Sequence, residues 1–253
     1  MEKFIKEFLS YLEVERNLSN NTISSYENDL LQFHNYLVSF FKKNDYNINE
    51  IDNKIIRKYL RNLLVNNIKK VSIGRKAAAI RSYFRFLSKR KYIQKNPSSK
   101  LLSPKTEKKL PVFIDEKSID KMMKLPDPEI ITGLRDLAIL ELFYSTGIRE
   151  SELLGLKLSG LDLTKNLVKV FGKGSKERII PVGSRAVTAL KNYLKRRSEL
   201  FTSDTDLDDK KTLFLTNHGK KFYRTGIYNI VKFYLSMACG AEKCSPHVLR
   251  HTF

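Results

Sequence analysis

Ser245-Pro-His-Val-Leu-Arg-His-Thr-Phe253 sets a histidine, an arginine and a second histidine close together. Ser245 is a good N-cap type and Pro246 suits a first helical position, so a helix is predicted to start there. His247 and Arg250, three residues apart, then share a helical face, and the helix end itself attracts an anion. A second segment, Thr146-Gly-Ile-Arg149-Glu-Ser-Glu152-Leu-Leu-Gly-Leu156, breaks at Gly147 and begins a new helical run at Arg149. A third, Gly172-Lys-Gly-Ser-Lys176-Glu177, lies between two short apolar runs. Planar, permanently cationic guanidinium groups suit the charge that builds on the non-bridging oxygens of a phosphodiester under attack. A lysine held on a turn near other cations gives up its proton readily and can pass it to a leaving oxygen. Arg149, Lys176, His247 and Arg250 are therefore the candidate groups for handling a phosphate. Glu152 is placed to orient Arg149 or His247, and His251 stands in support. The reading requires the fold to bring three distant segments together.

The elements that must do this are mostly helical. Phe4, Phe8, Leu9 and Leu12 mark a first apolar stripe, and Tyr26, Leu30, Phe33 and Leu37 a second. Residues 49–66 form a third candidate helix through Ile51, Ile55, Tyr59 and Leu63. The fourth, over 71–92, packs Ile73, Ala77, Ile80, Phe84 and Leu87 and turns Arg75, Arg81, Arg85 and Lys89 to its other side. Residues 95–111 hold prolines, serines and lysines and read as a basic linker, suited to lie along a phosphate backbone. Beyond it, Asp115 caps a helix running to Lys124, and residues 135–145 form a buried helix. Leu167–Phe171 and Arg178–Val182 pair as a hairpin, a helix covers 184 to about 200, Thr212–Thr216 is a further strand, and 225–237 is helical. The expected fold class is mainly α with a small β-sheet. It comprises an N-terminal helical domain over 1–94, the linker over 95–111 and an α+β domain over 112–253.

Charge narrows the partner. The formal net charge is +20. From Asn53 to Thr106 there are sixteen Lys and Arg and no Asp or Glu. A solvated face mixes signs, so this stretch reads as an electrostatic footprint for a polyanion, with nucleic acid first. Arg75, Arg81, Arg85 and Lys89 are the candidate DNA contacts. Cys239 and Cys244 fit neither a zinc site nor a disulfide framework and read as free thiols in a reducing compartment. The N-terminus is amphipathic and contains acids, unlike a signal or transit peptide, and no apolar run reaches the ~18 residues of a membrane span. A cytoplasmic protein is expected, with no metal, no cofactor and no membrane partner.

Taken together, the motifs Thr-Gly-Ile-Arg-Glu-Ser-Glu-Leu-Leu-Gly-Leu, Gly-Lys-Gly-Ser-Lys-Glu-Arg and His-Val-Leu-Arg-His-Thr-Phe resemble those of the tyrosine recombinases in order and approximate spacing. The N-terminal Phe8-Leu-Ser-Tyr-Leu-Glu-Val-Glu-Arg16-Asn-Leu-Ser19, with Thr22 and Tyr26, is similar to the core-binding domain of the bacterial Xer group. The resemblance covers essentially the whole chain. It implies an N-terminal SAM-like core-binding domain and a C-terminal catalytic domain. It implies that Arg149 is the first catalytic arginine, that Lys176 is the general acid on the leaving 5′ oxygen, that His247 and Arg250 are the His-x-x-Arg pair, and that Glu152 is the supporting acid. The nucleophile of the family is a tyrosine that forms a 3′-phosphotyrosyl bond with DNA, a step that needs no metal or other cofactor. Tyr223, Tyr228 and Tyr234 all precede His247 and read as core or DNA-facing aromatics. The nucleophile's place thus falls after Phe253, and the chain as given is expected to be a fragment that binds DNA without cleaving it in cis. The expected role is Xer-type site-specific recombination on double-stranded DNA, resolving chromosome or plasmid dimers in chromosome partition and cell division. A full-length protein would act as a tetramer on a short site, alone or with a paralogue. The alternatives are an integrase of a phage or mobile element and a non-catalytic DNA-binding remnant.

Overall fold

Apolar residues at three- and four-residue steps build four helices in the first hundred residues: α1 (Glu2–Val14), α2 (Asn20–Phe41), α3 (Asn53–Val65) and α4 (Lys70–Lys89). The structure, a computed structural model, describes residues 1–102, 113–172, 177–239 and 248–249. It divides into two units, Met1–Lys109 and Leu110–Phe253. Phe8, Tyr83 and Phe86 centre the first unit, with the Phe8 ring 5.5 Å from each of the other two; Phe33 packs against Tyr59 at 5.0 Å.

The predicted third helix is shorter than its apolar spacing suggested. Residues Ile48–Glu50 make a separate 3₁₀ turn, and α3 starts only at Asn53. The Asp52 carboxylate accepts the Ile55 N–H at 2.8 Å, and that cap fixes the start three residues after the turn. The first part of the basic linker sits against this unit: Leu101 is buried, its carbonyl accepts from Arg81, and the Pro97 carbonyl accepts from Asn53.

In the second unit Asp115 accepts the Ser118 N–H at 2.9 Å and opens α5 (Glu116–Met123). The buried helix α6 runs over Ile131–Thr146, longer than predicted. Short α7 (Glu150–Leu154) follows, then β1 (Leu161–Asp162), β2 (Leu167–Phe171) and β3 (Glu177–Pro181) in a three-stranded antiparallel sheet of order β1-β2-β3. Then come α8 (Ser184–Arg196), with a 3₁₀ turn over Arg197–Leu200, α9 (Leu207–Lys211) and α10 (Arg224–Cys239). The fold is mainly helical with a small sheet, as expected.

The strand predicted over 212–216 does not join that sheet; it makes only isolated bridges, Thr212 to Lys157 and Leu215 to Lys221. Side chains take several of its backbone groups instead. Arg197 donates to the carbonyls of Thr212 at 2.5 Å and Leu213 at 3.0 Å, and the Tyr193 hydroxyl accepts from the Leu215 N–H at 3.3 Å. Leu213, Phe214 and Leu215 are still buried, which is why the segment reads as a strand in the sequence.

Among the described residues no helix is long and apolar enough to cross a membrane.

Candidate active site

Helix α6 ends where its sequence says it must. The Thr146 hydroxyl turns back to the Leu142 carbonyl at 2.5 Å, and Gly147 takes a left-handed conformation (φ +55°) that a side chain would resist. Ile148 is fully buried and ties the chain down directly before Arg149. Arg149 is the N-cap of α7. Three residues on, Glu152 closes a ring: its carboxylate accepts the Arg149 backbone N–H at 2.7 Å and the Arg149 guanidinium at 3.0 Å. The Glu152 side chain is only 2% exposed, whereas that of Arg149 is 52% exposed.

A second arginine reaches the same carboxylate. In the β2–β3 ladder Val168 faces Ile180 and Val170 faces Arg178, while Phe171 faces Glu177. Val168 and Val170 are fully buried, so Arg178 occupies an inward-facing position at the hairpin end. From there its Nη2 donates to Glu152 at 2.8 Å, with the Arg178 side chain 41% exposed. Glu177 lies on the other face and pairs with Lys169 at 2.7 Å. One buried carboxylate therefore holds two half-open guanidiniums, and the trio carries a net charge of +1. An ionised group this buried must be paired and hydrogen-bonded. Here the pairing also orients: each five-donor guanidinium is fixed through Glu152 and keeps donors for an anion. Such a cradle suits the oxygens of a phosphodiester better than a lysine would.

Arg149 and Glu152, singled out from the sequence, are thus in contact. Arg178, quoted in the hairpin motif without a role, joins them. The signal for it lay in the strand alternation: Arg178 shares a face with Ile180, so a charge stands where an apolar residue is expected. Lys176, His247, Arg250 and His251 lie outside the described residues. Between the last three, Val248 and Leu249 are described as helical, and Leu249 is fully buried in the core of this unit.

The four candidate DNA contacts on α4 divide. Arg85 and Lys89 are exposed on its solvent stripe. Arg75 donates to the Ser25 carbonyl and to the buried Asp29, a carboxylate that it shares with Lys76, and its side chain is 45% exposed. Arg81 donates to the Leu101 carbonyl at 3.2 Å. Of the tyrosines, Tyr223 is exposed. Tyr234 is buried, donates to Asp136 at 3.2 Å, and has its pKa pushed up to about 12, first by burial and then by the Asp136 charge.

The described residues contain no group of three or more His, Cys, Asp or Glu that could hold a metal ion.

Residues 112–253 match the model of the phage integrase family, and residues 5–91 that of the phage integrase N-terminal SAM-like domain. The chain is 39% identical to tyrosine recombinase XerC of Natranaerobius thermophilus, over all of this chain and 84% of the relative. It is 36% identical to tyrosine recombinase XerD of Staphylococcus haemolyticus, again over all of this chain and 84% of the relative. Among solved structures, XerH bound to palindromic difH aligns with a TM-score of 0.72 at 20% identity, over 98% of this chain and 72% of that one. A lambda integrase dimer (residues 75–356) bound to a COC′ core site aligns with a TM-score of 0.72 at 14% identity, over all of this chain and 87% of that one. At these identities the two structures establish a shared fold.

Proposed function

The chain belongs to the phage integrase family of tyrosine recombinases, and from that premise we propose that it is a Xer-type site-specific recombinase acting on double-stranded DNA. In this reading Arg149 binds the non-bridging oxygens of the scissile phosphate, joined by His247 and Arg250. Lys176 protonates the leaving 5′ oxygen while the family's tyrosine takes the 3′ phosphate. One phosphodiester is exchanged for a phosphotyrosyl ester, so no external energy source is required. The cellular outcome would be resolution of chromosome or plasmid dimers, by a tetramer on two copies of a short site. The observation that carries the reading is Arg149, half open to solvent and fixed by the buried Glu152. The resemblance of the surrounding motif implies that this is the family's first arginine.

The reading is tested by selecting bound duplexes from a randomised library with the purified chain. The expected outcome is a short consensus with two inverted half-sites, bound much more tightly than random duplex at equal salt. Binding with no recoverable consensus, lost uniformly as salt rises, would instead describe a general DNA binder.

A further inference from the structure

We infer that Arg178 is a second arginine of this site that contacts the DNA backbone, positioned together with Arg149 by their shared hold on Glu152; the inference rests on the reading just given.

Two buried arginines of this unit set the contrast. Arg135 and Arg197 are sunk, each 5% exposed. Arg197 spends its donors on the carbonyls of Asp209, Lys210, Thr212 and Leu213. Arg135 donates to the Leu215 carbonyl, the Asn217 side chain and Asp136. These are structural arginines, saturated from within. Arg178 is the opposite case. Its guanidinium has one acceptor among the described residues, Glu152, and the side chain is 41% exposed.

Neutralising Glu152 does not account for it, since Arg149 already supplies one positive charge to that one carboxylate. Nor does sheet packing: the inward face of β3 is apolar at Ile180, and Arg178 breaks that pattern. An aliphatic residue would pack there with no charge to match. What Arg178 adds is a surplus cation at the mouth of the hairpin, two residues after Lys176 and tied to the same oxygen pair as Arg149. Two guanidiniums anchored to one carboxylate are held close enough to serve the same stretch of phosphate backbone, and the fork geometry of arginine favours that ligand.

The test measures affinity for a duplex across a range of salt, by gel shift, for the chain and for R149Q, R178Q, E152Q and the double variant E152Q/R178Q. Each direct phosphate contact contributes about one to the slope of log K against log salt. R149Q and R178Q are each expected to lower the slope by about one, which at 0.1 M salt is about a tenfold loss of affinity. A structural role alone would shift melting temperature and leave the slope in place. An R178Q slope equal to the parent's, with R149Q lowered, overturns this inference and leaves the proposed function standing. If neither variant lowers the slope, the site itself does not face DNA and the proposed function falls with it. If R178Q folds poorly because Glu152 loses a partner, the comparison moves to E152Q/R178Q against E152Q, where the carboxylate is gone. The same difference of about one is expected there, and no difference refutes the inference.

Discussion

Each unit contains one almost fully buried carboxylate shared by two cations, and the two sites use the same charges to opposite ends. In the helical unit Asp29 is completely buried and pairs with Arg75 and Lys76. In the α+β unit Glu152 is 2% exposed and pairs with Arg149 and Arg178. The difference lies in the second cation of each cluster. Lys76, itself 7% exposed, turns its ammonium to Gln32 at 2.5 Å, and Arg75 turns to the Ser25 carbonyl. That cluster ties α2 to α4 around a sunken ammonium, although the Arg75 side chain is itself 45% exposed. Arg149 and Arg178 have no further acceptor among the described residues and are about half open. A buried acid with two cations is therefore not a functional signature by itself. What separates the site from the rivet here is that both cations of the Glu152 cluster are half open, whereas one of the Asp29 pair is sunk.

The largest effect should come from Asp29→Asn. It removes the only carboxylate facing a buried ammonium and a guanidinium, and breaking a buried pair from one side costs about 3–5 kcal/mol. Denaturant unfolding of the full chain, followed by hydrogen exchange at amides of α2 and α4, should show the loss confined to the helical unit. Below the melting temperature the variant should bind DNA with an unchanged salt slope, because the substitution removes no cation. Loss of less than 1 kcal/mol, or a slope that falls with Asp29, would erase the distinction between the two clusters.

Glu152→Gln should cost less, about 1–2 kcal/mol, because both guanidiniums can turn into water when their acceptor weakens. Its salt slope should equal or exceed the parent's, since a negative charge leaves the site and no cation does. Measured beside Asp29→Asn, it sharpens the contrast: one acid is held for stability, the other for orientation. A stability loss as large as that of Asp29→Asn would make Glu152 a rivet too.

The sequence made much of this legible, and the exceptions share a cause. Arg149 and Glu152 stood out because local signals, a glycine break and an N-terminal acid, fix both in one turn. The α4 stripe was readable from period alone, but Lys76 and Asp29 were not. Helical period predicts which side is buried, and a buried lysine is affordable only with a partner 47 positions away. Arg178 failed for the same reason, its role depending on a residue 26 positions earlier. The strand expected over 212–216 was misread because apolar runs announce burial, whereas Arg197 and Tyr193, not a neighbouring strand, take the backbone groups. What sequence pattern misses here is the long-range polar partner.

The smallest expected effect concerns pH, and it again separates the two units. His34 is buried, with Nδ1 2.7 Å from the Tyr46 hydroxyl and Nε2 3.5 Å from Glu2. Burial, and then the N-terminal ammonium, hold its pKa below 6.5, with Glu2 opposing. The unfolded chain therefore binds this proton more readily than the native one. Stability is full above about pH 6.5 and declines as pH falls toward the lowered native value, by at most about 1.4 kcal/mol per pH unit for one proton. In the other unit, burial raises the pKa of Asp136 and of Glu141. A raised carboxylate favours the native state below its ordinary pKa and loses that benefit as pH rises, so mild acid does not penalise these two groups. Between pH 7 and pH 5 the helical unit should accordingly lose ground first, seen as earlier exchange of α2 amides than of α6 amides. His34→Gln should flatten that dependence. If acid loosens α6 first, or the His34 variant keeps the same pH profile, the histidine is not the group that sets the order.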